Sequence, residues 1–152
     1  MTIDTASAAE TREVGRRLGA ACAPSQVIGL VGDLGAGKTV LAQGIGAGLC
    51  VREPVSSPTF NLAQQYSGRL ALWHLDLYRL SRREELDDLS WEELLQARAV
   101  IVVEWSDRIA GALPDDRLEI AIADRGGDLR RLTLTATGAR SVALLRALRE
   151  AR

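Results

Sequence analysis

Lysine is almost missing from this chain of 152 residues: Lys38 stands alone, and arginine supplies the other 18 of its 19 basic residues. A compact ammonium and a forked guanidinium do not replace one another where geometry is tight, so the one lysine is informative. Cysteine is scarce too. Cys22 and Cys50 are too distant in sequence for a Cys-x-x-Cys redox pair and too few for a thiolate metal cage, and both are expected as small core residues. No apolar run approaches the roughly 20 residues of a bilayer span. The opening Met1-Thr2-Ile3-Asp4 lacks the basic residues and apolar stretch of a secretory signal, so the expectation is a cytoplasmic protein without membrane contact. Positive charge is not in excess either. A formal net charge of -1 argues against an autonomous, tight nucleic-acid binder.

What remains is the composition of an ordinary globule, 47% hydrophobic and 26% charged, of a length suited to one domain spanning residues 1–152. Residues 6–23 place Val14, Leu18 and Ala21 on one face with charges opposite, as an amphipathic helix does, and Pro24 ends it. Val27 to Val31 is short and wholly apolar, the pattern of a strand buried on both faces of a parallel sheet. Helical spacing resumes at Val40. Residues 60–66 and 70–78 read as two strands joined at Ser67-Gly68. Residues 81–97 read as one or two charged helices with a possible capping box from Ser81 to Glu84. A second all-apolar strand, 99–103, ends in Glu104. Alternation of Leu118, Ile120 and Ile122, a turn at Gly126-Gly127, then Leu132 and Leu134 predict an antiparallel ribbon at a sheet edge, and 139–151 a closing helix.

Between the first apolar strand and its helix, Gly32-Asp33-Leu34-Gly35-Ala36-Gly37-Lys38-Thr39 satisfies G-x-x-x-x-G-K-[ST] in full. Strand and helix are the context that pattern requires. Glycines allow main-chain N–H groups to turn inward, so that they and the helix N-terminus face a polyphosphate. Gly32, Gly35, Ala36, Gly37, Lys38 and Thr39 are therefore the nucleotide-binding candidates, with Lys38 reaching the β- and γ-phosphates and Thr39 giving its hydroxyl to Mg²⁺. A guanine-specific Asn-Lys-x-Asp box would need a second lysine, which favours ATP over GTP. The fold class that follows is α/β: a P-loop NTPase-like sandwich with a mixed, mainly parallel central sheet and antiparallel edge strands.

A phosphate loop needs a strand-end acid to organise metal and water. Glu104 and Asp76 both qualify, Glu104 as metal or metal-water ligand and Asp76 as a second organiser, with the two roles exchangeable. In His74-Leu75-Asp76-Leu77-Tyr78-Arg79, alternation sets His74, Asp76 and Tyr78 on one face. His74 reads as a hydrogen-bonding member of that row rather than as a catalyst. Thr59, in Ser56-Ser57-Pro58-Thr59-Phe60, is either a turn residue or a sensor of γ-phosphate and Mg²⁺. Arg79 and Arg108 read as surface ion-pair partners before charge stabilisers. Trp105 is either core or a stacking surface.

The series 32–39, Ser-Pro-Thr-Phe (57–60), His-x-Asp-x-Tyr-Arg (74–79) and Val-Glu-Trp (103–105) resembles the TsaE family, ATPases of bacterial tRNA threonylcarbamoyladenosine biosynthesis. The resemblance covers nearly the whole chain. It implies ATP and Mg²⁺ binding, association with a TsaD–TsaB-type complex, and hydrolysis there in support of modification beside the tRNA anticodon. It further implies that 35–39 hold phosphate, that Thr39 and Glu104 hold Mg²⁺, that Asp76 and Thr59 assist hydrolysis, and that Trp105 serves activity or assembly. Thr11, in Thr-x-x-x-Gly, resembles a nucleotide-proximal position. The near-neutral charge suits a subunit that touches proteins rather than gripping tRNA. Two other readings stay open: a small-molecule P-loop kinase, and a nucleotide-gated interaction module with negligible turnover.

Overall fold

The structure, a computed structural model, describes residues 1–57 and 61–151; the expectation for Thr59 lies outside those residues. In chain order the elements are β1 (Thr2–Thr5), α1 (Ala8–Ala21), β2 (Val27–Val31), α2 (Lys38–Gly48), β3 (Ala63–Tyr66), β4 (Leu72–Asp76), a 3-10 segment (Arg83–Leu89) and α3 (Trp91–Gln96). Then follow β5 (Val100–Glu104), a second 3-10 segment (Ser106–Ala112), β6 (Leu118–Asp124), β7 (Arg130–Ala136) and α4 (Ala139–Glu150).

The two apolar runs, β2 and β5, lie side by side at the middle of a seven-stranded sheet of order β1-β7-β6-β2-β5-β4-β3. The four central strands are parallel, and the ladders to β1, β7 and β3 are antiparallel. Being covered on both faces, β2 and β5 show no polar alternation until they end, whereas β6 alternates buried Leu118, Ile120 and Ile122 with more exposed residues. Ile28, Leu30, Val100 and Val102 join the core beneath α1, α2 and α4. Val27, Ile101, Val103 and Leu75 enter a second core with Trp91, Leu94 and Ile109 on the other face. Parallel β2, β4 and β5 therefore end together, and the chain leaving β2 enters the glycine-rich loop.

That loop is anchored by an unusually close pair of helices. Gly15 and Gly19 of α1 face Gly44 and Gly48 of α2 so tightly that a Cβ on Gly48 would collide with the Arg16 carbonyl and one on Gly19 with that of Ile45. Helix α1 starts where Ser7 Oγ accepts from the Glu10 amide at 3.1 Å and Glu10 Oε2 accepts from the Ala6 amide at 2.7 Å, a reciprocal cap. Helix α4 starts against Asp116, whose carboxylate accepts from the Arg140 and Ser141 amides at 2.8 and 3.1 Å.

Several sequence expectations change. The 118–134 ribbon forms, but it is not the edge: β1 pairs with β7 and covers it. Four residues with one buried side chain carry too little pattern to announce that strand. The hairpin strands are shorter than predicted. The reciprocal contact in the 81–97 region uses Glu85 rather than Glu84, its Oε1 accepting from Ser81 Oγ at 2.6 Å and from the Arg82 amide at 3.2 Å. Cys22 is buried, as expected, but Cys50 is exposed. It occupies the left-handed position after α2 with φ 61°, its amide bonding to Ala47 O and that of Val51 to Gly46 O, so the side chain leaves the core. Among the described residues no helix is long and apolar enough to cross a membrane.

Candidate functional site

The site grows from the end of β2. Gly35 and Gly37 adopt φ of 80° and 111°, a region costly for any residue with a Cβ. Gly37 is also the N-cap of α2, and no side chain caps that helix. Its first amides and positive dipole end thus face the loop. Lys38 is 5% exposed despite its charge. Its Nζ donates to Gly32 O at 2.6 Å and Asp33 O at 2.9 Å and lies 4.0 Å from the Trp105 ring centroid. Burial lowers its pKa, while the Glu104, Asp76, Asp107 and Asp33 carboxylates resist that shift.

Opposite the lysine, Glu104 ends β5 with only 2% exposure. Thr39 Oγ1 donates to Glu104 Oε1 at 2.9 Å and lies 3.1 Å from Ser57 Oγ. The other carboxylate oxygen, Oε2, meets His74 Nε2 at 2.5 Å. Asp76 ends β4 as the register partner of Glu104, and its Oδ1 accepts from the Tyr78 amide at 3.1 Å. Trp105 follows in a left-handed conformation, φ 61°, which brings its ring to 5.1 Å from that of Tyr78. Backbone strain of this kind persists only where the surroundings hold it. A cavity of about 300 Å³ is lined by Gly35, Lys38, Thr39, Asp76, Glu104 and Trp105, with Gly37, Ser57 and Tyr78 on its walls.

A second cavity, about 220 Å³, lies on the other side of the loop between Thr11, Gly35, Ala36, Gly37, Asp128 and Arg130. Thr11 is buried, and its Oγ1 is 2.8 Å from that of Thr5. Arg130 Nε donates to Ala36 O at 3.0 Å, tying the start of β7 to the loop.

The sequence-predicted residues therefore divide between two neighbouring spaces that share Gly35 and Gly37: Thr11 and Ala36 on one side, Lys38, Thr39, Asp76, Glu104 and Trp105 on the other. Gly32 contributes its carbonyl. Ser57 and Arg130 were not among the expected site residues, and Tyr78 was expected only as a member of the His74–Asp76 face. Ser57 stood in a recognised motif whose threonine drew the attention, while nothing in the sequence around Arg130 signals that a distant hairpin reaches the loop. The hydroxyl and carboxylate oxygens of Thr39 and Glu104 are donors that suit a hard divalent cation such as Mg²⁺.

Fold and site together define an α/β protein with a mixed sheet whose central parallel strands end at a glycine-rich strand-to-helix loop facing paired acids. Residues 5–132 match the family model described as threonylcarbamoyl adenosine biosynthesis protein TsaE, and the chain belongs to the TsaE family. The chain is 39% identical to the tRNA threonylcarbamoyladenosine biosynthesis protein TsaE of Bacillus subtilis over 90% of this chain and 85% of the relative. It is 40% identical to that of Streptomyces coelicolor over 85% and 92%. The crystal structure of Bacillus subtilis YdiB superposes with a TM-score of 0.85 at 34% identity, covering 99% of this chain and 94% of that one. The family is one of tRNA threonylcarbamoyladenosine biosynthesis.

Proposed function

We propose that the protein is a cytoplasmic, Mg²⁺-dependent ATPase subunit that supports tRNA threonylcarbamoyladenosine formation by acting on a TsaD–TsaB-type complex. One observation carries this reading: Thr39 Oγ1 and Glu104 Oε1 meet at 2.9 Å in a cavity that the buried Lys38 also lines. Loop hydroxyl, strand-end acid and ammonium thus line one cavity, as terminal phosphate transfer demands.

In this reading the loop amides and Lys38 hold the polyphosphate and neutralise its charge. Thr39 and Glu104 would hold Mg²⁺, which would supply neutralisation of the phosphate charge there. Asp76, on the neighbouring strand, orients the attacking water toward the γ-phosphorus. Water adds there as the bond to the β-γ bridging oxygen breaks, giving ADP and inorganic phosphate. Because the acids lie on the Trp105 side, the nucleoside lies on the other, in the cavity between Thr11 and Arg130. Thr59 joins the hydrolytic group by its place in the Ser-Pro-Thr-Phe motif.

The test is to purify the chain with the TsaD and TsaB counterparts, then measure ATP-dependent association and phosphate release. Stimulated release of inorganic phosphate is expected. Transfer of labelled phosphate to a metabolite would instead indicate a kinase, and association without release a nucleotide-gated module.

A further inference from the structure

Within that reading, we infer that His74 is the positioning residue of the site: it fixes Glu104 so that a single carboxylate oxygen, Oε1, faces the loop. His74 lies on β4 in register with Val102, two residues before Glu104 on the adjacent strand. Its ring is fully buried. Nε2 meets Glu104 Oε2 at 2.5 Å, while Nδ1 is buried without a partner among the described residues.

The chemistry of the two ring nitrogens follows. A carboxylate only accepts, so the nitrogen facing it carries the proton. An Nε2 without its proton would set a lone pair against the carboxylate oxygen in a buried position, the costlier arrangement, so the proton at Nε2 is the one this contact requires. With Oε2 taken by the imidazole and Oε1 held by Thr39, the carboxylate is gripped from inside the sheet and from the loop at once. Glu104 thus offers one oxygen to a cation or to its bound water, and it cannot turn both oxygens outward without breaking the buried hydrogen bond.

A histidine that only filled the core would serve as well with a phenyl ring in its place; a positioning histidine would not. Calorimetry separates the two if ATP is titrated into wild type, His74→Phe and His74→Gln, in excess magnesium and again in EDTA. His74→Phe is expected to lose at least tenfold of the affinity measured with magnesium and to stay within twofold of wild type in EDTA. His74→Gln keeps an N–H within reach of Oε2 and is expected to recover most of the loss. An unchanged magnesium response in folded His74→Phe overturns the inference. Absence of ATP binding by wild type in both buffers overturns the reading of the loop itself, a distinguishable result.

Should His74→Phe not fold, the wild-type chain decides. Its sole histidine makes ring ¹⁵N signals unambiguous. A protonated Nε2 is expected, and an Nε2 without its proton overturns the inference.

Discussion

Asp76 and Glu104 are register partners, closing adjacent parallel strands at the same edge of the sheet. Their surroundings differ. Glu104 is buried, with both oxygens engaged by Thr39 and His74, whereas Asp76 is half-buried and accepts a bond from the nearby Tyr78 amide. Glu104→Ala and Asp76→Ala are each expected to cut phosphate release in the reconstituted complex by about 10²-fold or more, the scale of a lost acid-base or metal-organising group. ATP binding in EDTA should survive both. Wild-type turnover in either variant would remove that residue from the mechanism.

Lys38 sits in a slot with two carbonyl oxygens on one side and an indole face on the other. Lys38→Ala should weaken ATP binding by about tenfold to a hundredfold, corresponding to the 1.5–3 kcal/mol of a hydrogen bond to a charged group. Lys38→Arg should not restore it. A planar guanidinium cannot replace a point ammonium that donates to Gly32 and Asp33 while resting on Trp105. Calorimetry in EDTA checks both variants, and affinity equal to wild type in Lys38→Ala would sink the loop assignment.

The glycine-rich loop and the strand-end acids were legible in the sequence because each coincides with an abrupt change of pattern: β2 and β5 are wholly apolar, then stop at a run of glycine or at Glu104. Period-two alternation in the same way placed His74 and Asp76 on one face. What escaped has no local signature. Strand β1 is four residues whose partner, β7, lies more than 120 positions away. Arg130 reaches Ala36 only because the 118–136 ribbon folds back over the loop. Cys50 looked like core, yet the left-handed turn ending α2 puts it outside, a conformation usually announced by glycine.

The spacing of α1 and α2 leaves no room for a methyl group. A Cβ on Gly48 would strike the Arg16 carbonyl and stand 2.6 Å from the Ala20 amide nitrogen, both backbone atoms that cannot swing aside. Gly48→Ala gains helix propensity, about 1 kcal/mol, but forces two helices apart. Overpacking is expected to dominate, with a net loss of about 1–3 kcal/mol seen as a lower urea midpoint at unchanged slope. A midpoint at or above wild type would mean that the helices separate freely, and with them the base of the loop.

The two thiols should behave oppositely, and one of them couples stability to alkaline pH. Burial pushes the Cys22 thiol up to about 12 from 9.0, only partly opposed by the Arg69 guanidinium. Cys50 is exposed. A native protein should therefore react with a thiol reagent once, at Cys50, and a second time only in denaturant. The linkage has a definite sign. The folded state keeps a proton on Cys22 that the unfolded chain releases near its ordinary value, so the stability contribution is complete below about pH 9 and is lost as pH rises toward 12. The slope approaches about 1.4 kcal/mol per pH unit within that window. Cys22→Ala removes the titrating group, so the stability difference between wild type and variant should be constant from pH 7 to 8 and fall between pH 9 and 10. A difference that stays flat through pH 10, or native labelling of both thiols, would place Cys22 in contact with solvent and contradict the packing of α1 against the sheet.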